Sequence, residues 1–460
     1  MGKGGRRRMV PAVAAGAAMS MAVAGYTAAT SGTSEATAET GPANRAVQLE
    51  RVHGLPLLPA VHGAAEAVAA SEAAEFAPPQ STTTSRTTGV PANCRPASGL
   101  LSRDPVREFG LPGGASVRVW DTGSRGRRID EARLVAVRIP RGTLTPTVLT
   151  PSSALGVLAT PSQMAAGQGK AVVVINGGVY DTSTRIPTGA VQVGSRPRKA
   201  DSLGTRAIAI YDGMKSAVVA RTGLNGVLSS RKGEAPIAAL NWEELSRKGL
   251  TAYTRSWNAK RHPAGPRTVV VKNGKVRAIL PKAAGTRRPG SGETFLTAPA
   301  GSRYRGVLQS LRVGDAVTVR TEVAGVREDH ADRPELGRPS AVMGVSAALV
   351  RYGRVTAPCS SRDNQLRPRS AIAWTANGDL LVVSIAGRAV VGRSPFGGAS
   401  AYGWGQYLQR LGAVSAVNLD GGGSTALLVR REVGGPLTRI DRAGSARQRP
   451  VANALAFKTD

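Results

Sequence analysis

Val414-Ser415-Ala416-Val417-Asn418-Leu419-Asp420-Gly421-Gly422-Gly423-Ser424-Thr425-Ala426-Leu427-Leu428-Val429 reads as an apolar run, a polar glycine turn and a second apolar run. The apolar, β-branched runs on either side predict two strands, Val414–Asn418 and Thr425–Val429. Three successive glycines let the backbone come close to another group. Their N–H groups, with the Ser424 and Thr425 hydroxyls, can form a concavity that takes an anion. Asp420 beside such a turn suits acid–base, nucleophilic or metal chemistry. A glycine-rich hairpin with Asp420 capping the turn accounts for the same residues equally well.

Working outward, the same strand signature recurs at Ser116–Trp120, Leu134–Ile139, Thr147–Leu149, Ala171–Ile175, Ala207–Tyr211, Thr268–Val271, Ala316–Arg320 and Leu380–Ile385. Lys272-Asn273-Gly274-Lys275 predicts a tight hairpin, with Asn-Gly supplying the positive φ angles. Thr375-Ala376-Asn377-Gly378-Asp379 follows the same logic. Helices are expected at Pro161–Gln168, Asn241–Lys248 and Ala401–Leu411. In the last, Tyr402, Gln406, Tyr407 and Leu411 fall on roughly one face. Many strands with few helices predict an α+β fold, with mixed, strand-rich sheets in a single large domain over residues 96–460. No repeat of fixed period is present.

The 460 residues are 41% hydrophobic but only 4% aromatic, so the core must be built from Val, Ala, Leu and Ile. The formal net charge of +31 attracts polyanions. Aromatic-interleaved basic patches and zinc-finger, homeodomain or RNP signatures are missing, so nucleic acid is not the expected partner. An arginine-favouring codon bias accounts for the charge as readily as a selected anionic partner does. Lys3, Arg6, Arg7 and Arg8 precede the small-residue apolar stretch Met9–Tyr26, with cleavage-like sites near Ala29 and Ala36-Thr37-Ala38. Residues 1–38 are therefore read as an export signal. The stretch is too Leu-poor for a permanent anchor, so no stable membrane span is expected once it is removed. The expected location is secreted or cell-wall associated. Residues 39–95, with Pro78-Pro79 and Ser81-Thr82-Thr83-Thr84, read as a disordered linker. In an oxidising compartment Cys94 and Cys359 can form one disulfide, although two free thiols fit the sequence as well.

Several chemistries have no signature. His53 and His62 fall in the linker, which leaves His262 and His330 in the folded region. There is no H-E-x-x-H, C-x-x-C, G-x-S-x-G, Walker A or G-x-G-x-x-G. His330-Ala331-Asp332 reads as an exposed loop pair. No cofactor is required by the sequence, and a divalent metal requirement is left open.

Two further segments accompany the Asp420 turn. The strand ending at Ile175 runs into Asn176-Gly177-Gly178-Val179-Tyr180-Asp181, and Arg367-Pro368-Arg369-Ser370-Ala371-Ile372-Ala373 leads through a strand to Ala386-Gly387-Arg388. Together with Met343-Gly344-Val345-Ser346, Asn418 to Ser424 and Arg449-Pro450-Val451-Ala452-Asn453-Ala454, this order resembles the phosphodiester glycosidase family. The likeness runs from about residue 170 and is strongest over 340–457. One position departs: the family's D-G-R reads Ala386-Gly387-Arg388, without the carboxylate.

The resemblance implies a hydrolase that cleaves sugar-1-phosphodiester bonds, in cell-wall or capsular glycopolymers. Phosphate leaves as a stabilised anion, so such a site needs positive charge and N–H donors on the phosphate and a carboxylate near the anomeric carbon. The implied catalytic residues are Asp420 as that carboxylate, Arg369 as a bidentate phosphate clamp, and Asn176. Asn418, Gly421, Gly422, Gly423, Ser424, Thr425 and Arg388 are expected to bind substrate, the two asparagines orienting hydroxyls or water. For each arginine a surface ion pair is the competing reading. Two other functions fit the same residues: a non-catalytic binder of anionic wall polymer, favoured by Ala386, and an exopolysaccharide assembly factor.

Overall fold

The strand-forming runs assemble into three sheets around shared apolar layers. The computed structural model describes residues 91–121, 132–211, 215–257, 262–281, 287–328, 338–387, 397–441 and 447–460. All of them fall in one compact unit. The expected export signal, the linker as far as residue 90, His330 and Arg388 lie outside the described residues.

An eight-stranded sheet runs in the order 107–110, 116–121, 132–139, 380–387, 369–375, 413–418, 348–351 and 354–355. A five-stranded sheet has the order 437–439, 427–430, 171–176, 454–458 and 145–149. Residues alternate across each strand, so Val135, Val137 and Ile139 enter one core while Leu134 and Ala136 enter another. The first core joins the eight-stranded sheet, through Val382 and Val417, to the five-stranded sheet, through Val173, Ile175, Leu427 and Leu455. Both faces are thus buried, which is why these strands read as nearly continuous apolar runs.

The far face of the eight-stranded sheet packs on the helix Ala401–Arg410, and that of the five-stranded sheet on the short helix Pro161–Ala165. The Ser400 hydroxyl caps the longer helix by accepting from Gly403 N at 2.9 Å. Its buried face is Ala401, Trp404, Tyr407 and Leu408. Of the face expected from sequence, only Tyr407 is fully buried. The helix also holds the N-terminal arm, since Ala97 N donates to Gln406 Oε1 and Ser98 N to Tyr407 Oη. Cys94 and Cys359 form a disulfide with a Cα–Cα separation of 4.9 Å. Asn364 bonds to the backbone on either side of Cys94, at Asn93 and Arg95. Asn93 and Arg95, at the C-terminal end of the expected linker, are thus tied to the fold.

A third sheet has eleven strands and includes the long ribbon Ala217–Ser230 paired with Val317–Arg327. Its hairpin at 272–275 has Asn273 and Gly274 both at positive φ, as Asn-Gly predicted. In the turn at 375–379 only Gly378 is left-handed. The helix expected at Asn241–Lys248 does not form. Asn241 sits at φ 50°, and its buried amide bonds to Arg198 O, Thr254 Oγ1 and Thr254 N, which bends the chain out of a helix. Conversely, Arg305–Ser310 forms a helix that the apolar periodicity did not announce. Among the described residues no helix is long and apolar enough to cross a membrane.

Candidate functional site

The chain segments of interest meet where the strands 171–176, 369–375, 413–418 and 454–458 end or begin. Register places Asn176 opposite Ala454, and Ala371 opposite Asn418. The Asn176, Met343, Arg369, Asp420 and Arg449 segments, far apart in sequence, therefore converge.

Close backbone approach shapes this corner. Gly177 N donates to Asn453 O at 2.9 Å, and Gly178 N to Asn453 Oδ1 at 2.9 Å. A methyl on Gly177 would fall 1.9 Å from Asn453 Oδ1, and one on Gly178 would fall 2.0 Å from Gly344 O. Only glycine fits at either position. The Asp420 turn then lies across this floor. Asp420 N donates to Gly177 O at 2.9 Å and Gly422 N to Pro368 O at 2.8 Å. Gly422 takes φ +60°, and Gly421 leaves the place of its missing Cβ 3.7 Å from Arg369 Cα.

Asn176 is fully buried. Its Nδ2 donates to Asp420 O at 2.7 Å, while its Oδ1 accepts from Ser370 Oγ at 2.7 Å and from Ala426 N at 3.1 Å. These partners account for the side chain that was expected to orient a substrate hydroxyl or water. The amide is used by the protein and holds the Asp420 turn in place. Asn418 is likewise turned inward, donating to Ser346 Oγ at 3.1 Å and Leu419 O at 2.8 Å. Its Oδ1 is buried without a protein partner, as are the hydroxyls of Ser424 and Thr425. Such groups around one turn carry unmet hydrogen-bonding capacity.

Asp420 is partly buried, and desolvation pushes its carboxyl above the usual range. The Ser424 hydroxyl, Gly421 N at 2.9 Å and the positive charge of Arg449 pull in the opposite direction. Ser424 lies beside the carboxylate without reaching full hydrogen-bond geometry. Arg449 is exposed and lies over the turn. A methyl on Gly423 would touch its Cδ at 3.5 Å, and its guanidinium carbon stands 5.8 Å from the Tyr180 ring centre. Tyr180 in turn donates its hydroxyl to Pro450 O at 3.3 Å.

Arg369, the expected phosphate clamp, is also engaged within the protein. Its backbone meets the turn, but its Nε donates to Ala399 O at 2.8 Å and its Nη2 to Asp363 O at 3.4 Å. Burial, and repulsion from Arg367, bring its pKa down to about 10, so it stays charged at neutral pH. The charge that acts on Asp420 is Arg449, which belongs to the Arg449-Pro450-Val451 motif but had no role expected of it. Ala386, at the family's carboxylate position, is fully buried beside the Arg369–Ile385 pair. Asp181 is spent on its own turn, bonding Ser183 and Thr184, which lowers its pKa to about 2. A surface concavity of about 400 Å³ lined by Gly167, Lys170 and Lys458 lies at the opposite end of strand 171–176, away from Asn176. Among the described residues no group of three or more His, Cys, Asp or Glu could hold a metal ion.

A hypothetical protein from Synechocystis is 26% identical, with a TM-score of 0.57 over 75% of this chain. This chain spans 62% of that protein's length. A Burkholderia pseudomallei protein shares the fold at 18% identity and a TM-score of 0.51, over 71% of this chain and 74% of its own. The zebrafish N-acetylglucosamine-1-phosphodiester alpha-N-acetylglucosaminidase catalytic domain is 13% identical, with a TM-score of 0.36 over 77% of this chain and 88% of its own. No curated protein matches the chain. The stretch that carries Asp420, the glycine turn, Arg449 and Asn453 matches the phosphodiester glycosidase family, over residues 262–458.

Proposed function

We propose that this protein is an exported hydrolase that cleaves sugar-1-phosphodiester bonds in anionic glycans of the cell wall or capsule. The observation that carries the reading is a desolvated Asp420 carboxyl set beside the Gly421 N–H and within the influence of the Arg449 charge, in a region that matches the family. Water attacks the anomeric carbon, the bond from that carbon to the phosphate oxygen breaks, and the sugar and a phosphate monoester leave. Ionised Asp420 takes the proton from the attacking water. Arg449 stabilises charge on the departing phosphate, which lowers the barrier because the charge is already in place. Arg369 supports the turn from behind.

The test is sugar release from a synthetic sugar-1-phosphodiester by purified mature protein. Release of sugar and phosphate monoester is expected. No release, with salt-sensitive retention of wall polymer, would instead favour the binding reading that Ala386 suggests.

Arg449→Gln should reduce turnover of the phosphodiester by roughly 10²-fold, the scale of losing one aligned transition-state donor. An aryl glycoside without phosphate should be hardly affected, and Arg369→Lys should cost less than Arg449→Gln on the phosphodiester. Equal losses on both substrates would place Arg449 outside phosphate recognition. For export, the mature protein should begin near residues 30–39, as read by mass spectrometry of culture medium. An intact Met1 confined to the cytoplasm would overturn that part.

A further inference from the structure

A buried ion pair stands behind the site, and the roles given above do not use it. Arg439 ends the strand Leu437–Arg439, with Leu428 opposite it. Its side chain is 7% exposed and that of Asp441 is 0%. Nε donates to Asp441 Oδ1 at 2.7 Å and Nη2 to Asp441 Oδ2 at 3.0 Å. The carboxylate also accepts from Leu427 N at 3.2 Å. The rest of the guanidinium reaches two backbone carbonyls. Nη2 donates to Thr425 O at 2.8 Å, just after the glycine turn, and Nη1 donates to Arg447 O at 2.7 Å, two residues before Arg449.

We infer that Arg439 is a positioning residue, which ties the Asp420 turn to the Arg449 segment so that the arginine charge acts on the carboxylate. This inference rests on the hydrolase reading above. The planar fork of a guanidinium is suited to such a tie. One rigid group with donors in fixed directions can hold a carboxylate and two carbonyls at once, which a lysine ammonium cannot. Asp441 serves this arrangement by orienting the guanidinium and neutralising it in a buried place. Both side chains are buried. Their effect passes through Arg449, whose charge lowers the pKa of Asp420.

Arg439→Lys retains a cation for Asp441 and should fold. Its kcat on a sugar-1-phosphodiester should fall by on the order of 10²-fold, the cost of a small misplacement, with KM little changed. The acid limb of the kcat/KM profile should move to higher pH, as it should in Arg449→Gln. The double variant Arg439→Lys/Arg449→Gln should be no worse than Arg449→Gln alone, because the two act as one unit. Should Arg439→Lys fail to fold, the paired replacement Arg439→Met/Asp441→Asn removes both charges together and should show the same defect. Wild-type kcat in a folded variant, or losses that multiply in the double variant, would overturn the proposal. If the wild-type protein releases no sugar, the hydrolase reading fails by itself. Positioning is then read from a carbon-13 NMR titration of the Asp420 carboxyl, assigned by its loss in Asp420→Asn. An upward shift in Arg439→Lys supports the role, and an unchanged titration rejects it.

Discussion

Asp420→Asn is expected to lower sugar-1-phosphodiester hydrolysis by roughly 10³-fold, within the range contributed by one acid–base group, while substrate still binds. The substitution keeps shape and removes only the charge, so loss of kcat with KM preserved marks an interaction made in the transition state. Burial holds the Asp420 pKa above the usual carboxylate value. Because the mechanism needs the ionised form, the acid limb of the wild-type profile should lie above that value. A stability difference follows with a definite sign. Asp420 is harder to ionise in the folded protein than in the unfolded chain, so its ionisation destabilises the fold once pH rises above the unfolded pKa. Asp420→Asn should therefore melt higher than wild type at neutral pH, and the gap should close as pH falls below the ordinary aspartate range. Full activity in this variant would remove Asp420 from the chemistry whatever the melts show.

The second large effect is expected at Asn176, on stability as well as turnover. Asn176→Ala leaves Asp420 O, Ser370 Oγ and Ala426 N facing an empty buried space. Each orphaned buried group costs about 1–3 kcal/mol. Partial relaxation brings the expected total to about 3 kcal/mol or more, at the severe end of single substitutions. The midpoint of denaturant unfolding should fall accordingly. Any folded fraction should hydrolyse poorly, since the carbonyl of Asp420 has lost its tie. Asn176→Asp should be no better, because it replaces the donor to Asp420 O with a buried charge. An unchanged unfolding midpoint in Asn176→Ala would contradict the hydrogen-bond arrangement around this amide.

The two residues differ in how legible they were. Asp420 stands in a local signature of strand, carboxylate, three glycines and strand, and both its structural setting and its candidacy follow from neighbours within about ten positions, the span over which strand and turn signals act. Asn176 follows a strand and precedes two glycines, which equally suits a residue reaching outward. Its amide turns inward because Ser370 and Ala426, from distant segments, supply the donors that meet its oxygen. The misreading at Asn241–Lys248 has the same origin. The local sequence is compatible with a helix, but Thr254 and Arg198 bind the Asn241 amide and select a left-handed backbone there. Arg449 had a signal, the motif that contains it. In so basic a chain, however, nothing local separates an arginine beside the candidate site from a solvated one.

The sequence by itself determined the strand-rich α+β class, the Asn273-Gly274 hairpin, the approximate span of the helix Ala401–Arg410, and the glycine turn after Asp420. Each depends on interactions between residues a few positions apart, where backbone preference and periodicity decide. The tertiary structure alone decided which polar groups face the site and which are spent holding it. Asn176 went to the turn, the Arg369 guanidinium to the carbonyls of Ala399 and Asp363, and Arg449 to a place beside Gly423 of the turn. Those outcomes depend on strand register, which sets the direction of every side chain and is fixed only when strands distant in sequence pair and bury a common core.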